Sequence, residues 1–594
     1  MANEQQILES ILVADCGTVF TKLLLLEKVE DSYRFVAQAE TLTTINPPWS
    51  DVSVGVVHGI EELEQISGRR LMSGGALIVP QQGAEGVDAF VVILTAPEPL
   101  RLVLAGLVKE VSLESARRAA AGTYTHVEAV LSREGTLEAP ENQWVKIVRD
   151  LVPDVVFVVG GVDGGASRPV IEMVETIAVA CAMIPDKTAF PVILYAGNNQ
   201  LHSELARLQK NIKTLMIVDN VHPTGDTEHL GPAQEALEKL YVEKRLAQTP
   251  GVETLMAWSR LSLLPASVSF GRVIEYLWHR RAKEQELQKN PEPEAGTLGV
   301  DVGAASITIA AAFEKQLYLS VHSHNGAAYG PLELVKEKGI EAILRWIPEE
   351  ADPNEVMSFL YNRELRSWTV PQDTRELWIE QAVIREMLRT AIRVAQPTWS
   401  PGKAHVMPGM MPRLNPIVLT GGGVVNLPKH ALLTVLDGLE PVGISNIYLD
   451  VNRTATALGA IAGVNSLAAA AALDAGALVP LGTVISPIGQ ATSGEIILKM
   501  NINDGSSEYA VEVKAGGLEV IFMEPGKTAT VELKPSRKFD VGMGGPGKGG
   551  KIQVIGGLVG LVVDGRGRPL RLSNDPDVRR ENLRRWFWDV GVGV

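Results

Sequence analysis

The sequence predicts an α/β chain of several domains. It has two similar lobes that each open on strand, tight turn and strand, a doubly wound parallel α/β domain inserted into the first lobe, and a C-terminal all-β domain. Three observations carry this. Two stretches nearly 290 residues apart read alike, a regular alternation of strand-like and helix-like runs lies between them, and after about residue 480 the chain turns to short alternating runs broken by glycine. At 594 residues the chain exceeds a single hydrophobic core. The expected division is residues 1–84 for the N-terminal part of the first lobe and 85–246 for the inserted domain. A helical connector and linker follow at 247–296, then the second lobe at 297–479 and the β-rich end at 480–594.

The paired stretches are ILVADCGTVFTKLLLL, with Asp15, Gly17, Thr18, Thr21 and Lys22, and LGVDVGAASITIAAA, with Asp301, Gly303, Ala304, Ser306 and Thr308. Each is an apolar run that breaks at Asp-x-Gly and resumes rich in β-branched residues or leucine, which reads as strand, turn, strand. In such a turn glycine admits an anion to the backbone, N–H groups and hydroxyls donate to phosphate oxygens, and the aspartate can hold a Mg²⁺ shell or orient water. One copy is also an ordinary hairpin, and strand alternation could turn Lys22 outward to solvent. Two copies suggest a clamp with one hairpin from each lobe. A third stretch, PIVLTGGGVVN, runs a buried-type strand into Thr420, Gly421, Gly422 and Gly423. Those glycines would let a flat ring or ribose lie on the backbone, or simply turn a strand into a helix.

Hairpin, second hairpin, then Gly-Gly after a strand resembles the arrangement of the actin-like ATPase superfamily, which includes sugar kinases, actin and the large heat-shock chaperones. The segments PDVVFVVGGVDGGASRPVIEMVETIA, PVILYAGN, LMIVDNV and LRLVLAGLVKEVSLESARRAAAGTY narrow it. Over about residues 10–470 the chain resembles the MutL (GlmL) family, which serves adenosylcobalamin-dependent glutamate mutase and is unrelated to the mismatch-repair protein of that name. The resemblance implies two ribonuclease H-like lobes, ATP and Mg²⁺, with Asp15 and Asp301 at the metal and the attacking water. Gly17, Thr18, Thr21, Lys22, Gly303, Ala304 and Ser306 would then serve the phosphates, and Thr420, Gly421, Gly422 and Gly423 the adenosine. It also implies a mutase subunit as partner and a role as reactivase or assembly chaperone, with homo-oligomerisation left open. There are departures. Thr95-Ala96-Pro97-Glu98-Pro99 stands where a Ser/Ala/Gly-rich segment is expected before LRLVLAGLV, itself read as a helix, and Ala304, Ala305 and Ile307 replace the Gly, Thr or Asp common among relatives.

Composition excludes several classes. A net charge of −15 leaves no large basic surface for nucleic acid, and His279-Arg280-Arg281 reads as a solvated helix face. Two separated cysteines, Cys16 and Cys181, make neither a disulfide framework nor an iron–sulfur site, so Cys16 is expected to pack a turn. MANEQQILES has no leader character, which points to the cytoplasm. The longest apolar stretch, Leu467–Leu481, is interrupted by Asp474, Gly476 and Pro480 and reads as a buried helix with its exit turn, not a membrane span.

In the inserted domain, strands are expected at Ala89–Thr95, His126–Leu131, Val155–Val159, Val192–Ala196 and Leu215–Val218, with helices such as Pro169–Met183 and Gly231–Leu246. The strand ends are polar at Gly160–Gly165, Gly197-Asn198-Asn199 and Asp219-Asn220. A second site at Gly161, Asp163, Gly164 and Asn198 and a set of plain tight turns explain them equally well. Asn220-Val221-His222-Pro223-Thr224-Gly225 is one residue away from the Asp-x-His-x-x-Gly that ligates cobalt in cobalamin folds, but it lacks the orienting aspartate and follows the last strand. Residues 247–296 look helical and finish in Pro-Glu-Pro, and a long amphipathic helix is expected near Thr374–Val394. Gly542–Gly549 mimics a Walker A loop without its Ser or Thr, and Arg584–Trp588 reads as a docked helix or an interface. Competing functions are a small-molecule kinase with Asp163 as base, a cytoskeletal or scaffold ATPase, and a protein holding nucleotide as a fixed structural element.

Overall fold

The two paired stretches fold alike. In the computed structural model, which describes residues 8–95, 98–133, 141–186, 190–210, 212, 214–259, 261–287 and 294–593, Ser10–Cys16 pairs antiparallel with Phe20–Val29, and this with Ser32–Leu42. Ala89–Leu94 and Leu264–Pro265 then add in parallel on the other side of Ser10–Cys16. The second lobe repeats this order. Gly296–Val302, Ser306–Phe313 and Gln316–Ser323 form the antiparallel set, and Leu414–Thr420 and Gly443–Leu449 add in parallel. Numbered in chain order, each lobe is a 3-2-1-4-5 sheet, the two-lobed architecture of actin-like ATPases. The first strand of each sheet is apolar almost throughout because it is covered on both faces: Leu12, Val13, Leu298 and Val300 are fully buried.

Three helices pack on the facing sides of the two sheets, and two of them set the spacing of the lobes. Ala266–Glu286 packs against the second-lobe sheet, where Phe270 and Ile274 meet Ala310, Ala312 and Val418. Ala455–Ala462 and the following Ser466–Ala472 pack on the first-lobe sheet against Ile11, Val13, Leu24 and Ile93. Ala266–Glu286 and Ala455–Ala462 cross in backbone contact at Gly459, where a Cβ would stand 1.7 Å from the Ser269 carbonyl oxygen. Although these small helices precede residue 479, they complete the first lobe's face.

The inserted sheet is all parallel, in the order Leu215–Ile217, Val192–Tyr195, Val155–Val158, Leu100–Gly106, Thr125–Ser132. Two expectations are corrected here. Ala89–Leu94 is the fourth strand of the first lobe, in register from Ile11–Ala89 to Cys16–Leu94. Leu100–Gly106, read as a helix, is an inner strand between Val155–Val158 and Thr125–Ser132. A strand buried on both faces presents a continuous apolar run, whose period does not separate it from a buried helix. The sheet touches the second lobe directly, since Val321 donates its N–H to Ala121 at 2.6 Å and Ser323 Oγ donates to the Thr125 carbonyl at 2.5 Å.

The β-rich end divides. Val479–Ser486, Gly560–Asp564 and Leu518–Ile521 extend the second-lobe sheet to eight strands, so this part continues the lobe instead of standing apart. Ile496–Asn503, Glu508–Lys514, Thr528–Pro535 and Gly550–Ile555 make a separate antiparallel sheet. Pro576–Asp589 is a helix capped by Asp575 that buries Leu583, Trp586 and Phe587. Thr374–Ala395 forms the long helix expected there. Among the described residues no helix is long and apolar enough to cross a membrane. The Pro-Glu-Pro linker, Ala96-Pro97 and the first seven residues lie outside the described residues.

Candidate functional site

The two hairpin turns close in the same way. Gly17 donates its N–H to the Phe20 carbonyl at 3.0 Å, and Gly303 donates to Ser306 at the same distance. Each glycine lies two residues past its aspartate, so Asp15 and Asp301 leave equivalent positions of equivalent strands. The two turns and the glycine turn after Leu414–Thr420 line one cleft of about 320 Å³. Asp15, Gly17, Thr18, Lys22, Asp301, Gly303, Ala304, Ser306, Thr420, Gly421, Gly422 and Gly423 all border it.

Thr21 does not, and its assignment to the phosphates is corrected. Alternation along Phe20–Val29 turns it to the face opposite Lys22, where it is fully buried with its hydroxyl 2.9 Å from that of Thr43. Thr420 borders the cleft, but its hydroxyl donates to Asp450 at 2.8 Å.

Lys22 is no solvated lysine. It sits directly across the ladder from Asp15, with Nζ 2.9 Å from the carboxylate. Burial works against its charge, but the Asp15 carboxylate outweighs it and holds the ammonium above its ordinary pKa. Asp301 moves the opposite way for a carboxylate in a cationic site. Burial, with Asp15 and Asp450 nearby, pushes it up to about 6 against the pull of Lys22. Burial beside Asp15 also pushes the Cys16 thiol up to about 12, so Cys16 is a neutral packing residue.

The glycine turn is built around close approach. Gly421 has φ +91°, and a Cβ there would stand 2.3 Å from the Val302 carbonyl oxygen and 2.5 Å from Asp301 Oδ1. The turn can therefore lie against the second hairpin only without a side chain. Gly421→Ala is expected to destabilise the second lobe by roughly 1–3 kcal/mol. A lowered melting temperature in scanning calorimetry would register this, and an unchanged one would refute it.

Sequence reasoning did not single out several residues that complete the cleft. Arg453 borders it from the turn after Gly443–Leu449 and pairs with Glu40 of the first lobe. Arg363 pairs with Glu380 at 3.0 Å, and Trp368, Val370 and Asn426 also line the cleft. The available signal was the polar DVNRT before an alanine-rich helix, a turn with an arginine where small residues would suffice.

The donor set fits a Mg²⁺ ion carried in by a polyphosphate. Among the described residues no three His, Cys, Asp or Glu side chains are grouped to hold a metal by themselves. Mg²⁺, however, keeps several waters and takes one or two carboxylates plus phosphate oxygens, and Asp15 and Asp301 face one cleft.

The loops of the inserted sheet also converge, but on one another. Asp163 accepts from Asn199 N (2.9 Å), Asn199 Nδ2 (3.0 Å) and Asn220 Nδ2 (2.9 Å). Asn198 Oδ1 accepts from Gly164 N at 3.1 Å, and Asn220 Nδ2 also donates to Gly161 O at 3.0 Å. The polar atoms of Gly161, Asp163, Gly164 and Asn198 thus tie three loops together, and none of these residues lines the hairpin cleft. His222 Nδ1 lies 3.2 Å from the Ser115 hydroxyl, in place of a carboxylate partner.

The region holding both hairpins and the glycine turn is matched by a family model described as MutL protein, over residues 11–476. The chain belongs to the MutL family. A curated MutL-family relative, Protein MutL of Clostridium tetanomorphum, is 24% identical over 304 residues, which cover 51% of this chain and 57% of that relative. The match therefore spans little more than half of the relative's length. Similar solved structures include a glycerol dehydratase reactivase, with a TM-score of 0.31 at 11% identity over 77% of this chain and 100% of that one. Another is xylulose kinase from Bifidobacterium adolescentis, with a TM-score of 0.27 at 11% identity over 80% and 94%. What identifies the architecture of this MutL-family chain is the repeated strand order of its own lobes.

Proposed function

We propose that this MutL-family protein binds and hydrolyses ATP as an accessory protein, a reactivase or assembly chaperone, for an adenosylcobalamin-dependent mutase such as glutamate mutase. The observation that carries the ATP reading is the pair of equivalent hairpins facing one cleft with the glycine turn behind them. The client comes from the family resemblance.

The chain's own groups divide the work. Turn N–H groups and the Thr18 and Ser306 hydroxyls bind phosphate oxygens, Lys22 offsets their charge, and Gly421–Gly423 let the adenosine lie on the backbone. When bound, Mg²⁺ would supply charge neutralisation on the phosphates. Asp301 orients the attacking water and accepts its proton, for which a carboxylate pKa near 6 is better matched than an ordinary one. Binding groups from both lobes favours the closed arrangement, and a client that prefers one arrangement is thereby coupled to ATP.

A kinase would need a carboxylate base for a substrate hydroxyl. The cleft's carboxylates are Asp15, Glu40 and Asp301, and Asp163 is committed to Asn199 and Asn220.

In the nucleotide-free protein Asp301 should take up a proton as pH falls through about 6, and turnover should fall at the acid end as its carboxylate form is lost. A profile flat from pH 5 to 8 would remove Asp301 as base. The client is tested by affinity isolation from native cytosol with and without ATP and Mg²⁺. Nucleotide-dependent recovery of an adenosylcobalamin mutase subunit is expected, and its absence under both conditions would overturn the accessory role.

A further inference from the structure

Among the described residues three cations border the cleft, and each is already paired. Lys22 is held by Asp15 within the first hairpin, and Arg363 by Glu380 between two helices of the second lobe. Arg453 is held by Glu40. Only this third pair crosses from lobe to lobe, from the turn after Gly443–Leu449 to the strand Ser32–Leu42.

The turn that carries Arg453 is tied on both sides by Asp450. Asp450 is fully buried and accepts from Thr420 Oγ1, Thr454 N and Ala455 N, each at 2.8 Å. This ties it to the glycine turn on one side and to the helix Ala455–Ala462 on the other. Arg453 itself has φ +54°, a conformation an arginine adopts only where its surroundings impose it. The guanidinium remains about one quarter exposed, as does Glu40.

We propose that Arg453 is an anion-binding residue of the nucleotide cleft that Glu40 holds in reserve, so that an arriving polyphosphate takes the guanidinium from Glu40 and exchanges the inter-lobe ion pair for its own contact. The proposal rests on the nucleotide reading above. A partly exposed ion pair contributes little and is easily exchanged, whereas a guanidinium matches a phosphate in a bidentate, doubly charge-assisted contact. Glu40 then does two things. It occupies Arg453 and repels the incoming phosphates, so the empty cleft is less attractive to nucleotide than its cations alone would make it.

The opposite signs of the two single variants separate this from a purely structural cross-link. Titration calorimetry of the full chain with ATP and with ADP, both with Mg²⁺, would compare wild type, Glu40→Gln, Arg453→Gln, Arg453→Lys and the double Glu40→Gln/Arg453→Gln variant. Arg453→Gln is expected to weaken ATP binding about tenfold and Glu40→Gln to tighten it a few-fold, with Arg453→Lys in between. In the double variant the gain from Glu40→Gln should shrink. If both single variants weaken binding alike, or neither changes it, the pair is structural and the proposal fails. If Arg453→Gln proves misfolded by circular dichroism, Arg453→Lys and Glu40→Gln decide by the same signs. Wild type binding neither nucleotide would overturn the nucleotide reading itself, an outcome distinct from a failure in the variants alone.

Discussion

Replacing Asp301 by asparagine is expected to lower ATP turnover at least about a hundredfold, because the water loses the group that takes its proton. The same change should not weaken the fold. Asp301 ordinarily titrates at 3.8 and here at about 6, so the folded chain prefers its protonated form. The sign follows from linkage: stability falls as pH rises from about 3.8 to 6, and above that a fixed penalty remains for holding the charge. Asparagine removes the charge and the penalty with it, so at pH 7 the empty variant should melt at or above the wild-type temperature. Lost turnover with an undiminished melting temperature assigns Asp301 to catalysis, at a cost in stability that the wild type bears for it. Lost turnover with a lower melting temperature would mean that the site had collapsed. Asp15→Asn gives a contrast, since it also strips Lys22 of its partner 2.9 Å away and should impair nucleotide affinity together with rate.

Much of this site was legible because its chemistry is local. Asp-x-Gly breaking an apolar run puts an aspartate, a tight turn and a returning strand within eight residues, and Asp15–Lys22 and Asp301–Thr308 indeed face each other across their ladders. Glu40 and Arg453 were not legible, because 413 positions separate them and neither sits in a pattern that demands its charge. Thr21 was misassigned for a period-2 reason: one step along a strand separates a residue in the cleft from one in the core. The same limit explains Ala89–Leu94 and Leu100–Gly106. Both are continuous apolar runs, and which sheet a run joins depends on partners elsewhere in the chain. The polar loop ends of the inserted sheet converge on one another. Sequence could not reveal that Asp163 and Asn198 would meet their hydrogen-bonding needs from one another.

The largest stability effect is expected far from the cleft, at Asp564. This fully buried carboxylate ends the strand Gly560–Asp564 and accepts from Arg566 Nε at 2.9 Å, Arg566 Nη2 at 2.9 Å and Arg568 Nη2 at 2.5 Å. Arg566 reaches on to Asp437 at 2.7 Å, and Asp437 is shared with Arg385 at 2.8 Å. Three arginines and two aspartates thus alternate in a dry layer that joins the last strand, the helix Pro428–Gly438 and the long helix Thr374–Ala395. Trp586 lies under Arg566 and Phe587 under Arg385, 4.7 and 5.5 Å from the ring centres, so the C-terminal helix closes the layer. Burial disfavours the Asp564 charge, but Arg566 and Arg568 overcome it and hold the carboxyl well below the usual carboxylate range. Its contribution is therefore present above its ordinary pKa of 3.8 and is lost as pH falls below that value. Asp564→Ala leaves two buried guanidiniums without their shared partner, and removing one member of a buried ion pair costs about 3–5 kcal/mol. The loss should appear first where the layer is the main fastening, so limited proteolysis should cut first in the C-terminal helix Pro576–Asp589 that closes it. Asp564→Asn, with the shape kept and the charge gone, should lose less than alanine but remain below wild type. Equal stability of all three proteins would mean that the β-rich end is held by the sheet it continues, through Val479–Ser486 and Gly560–Asp564, and not by its buried charges.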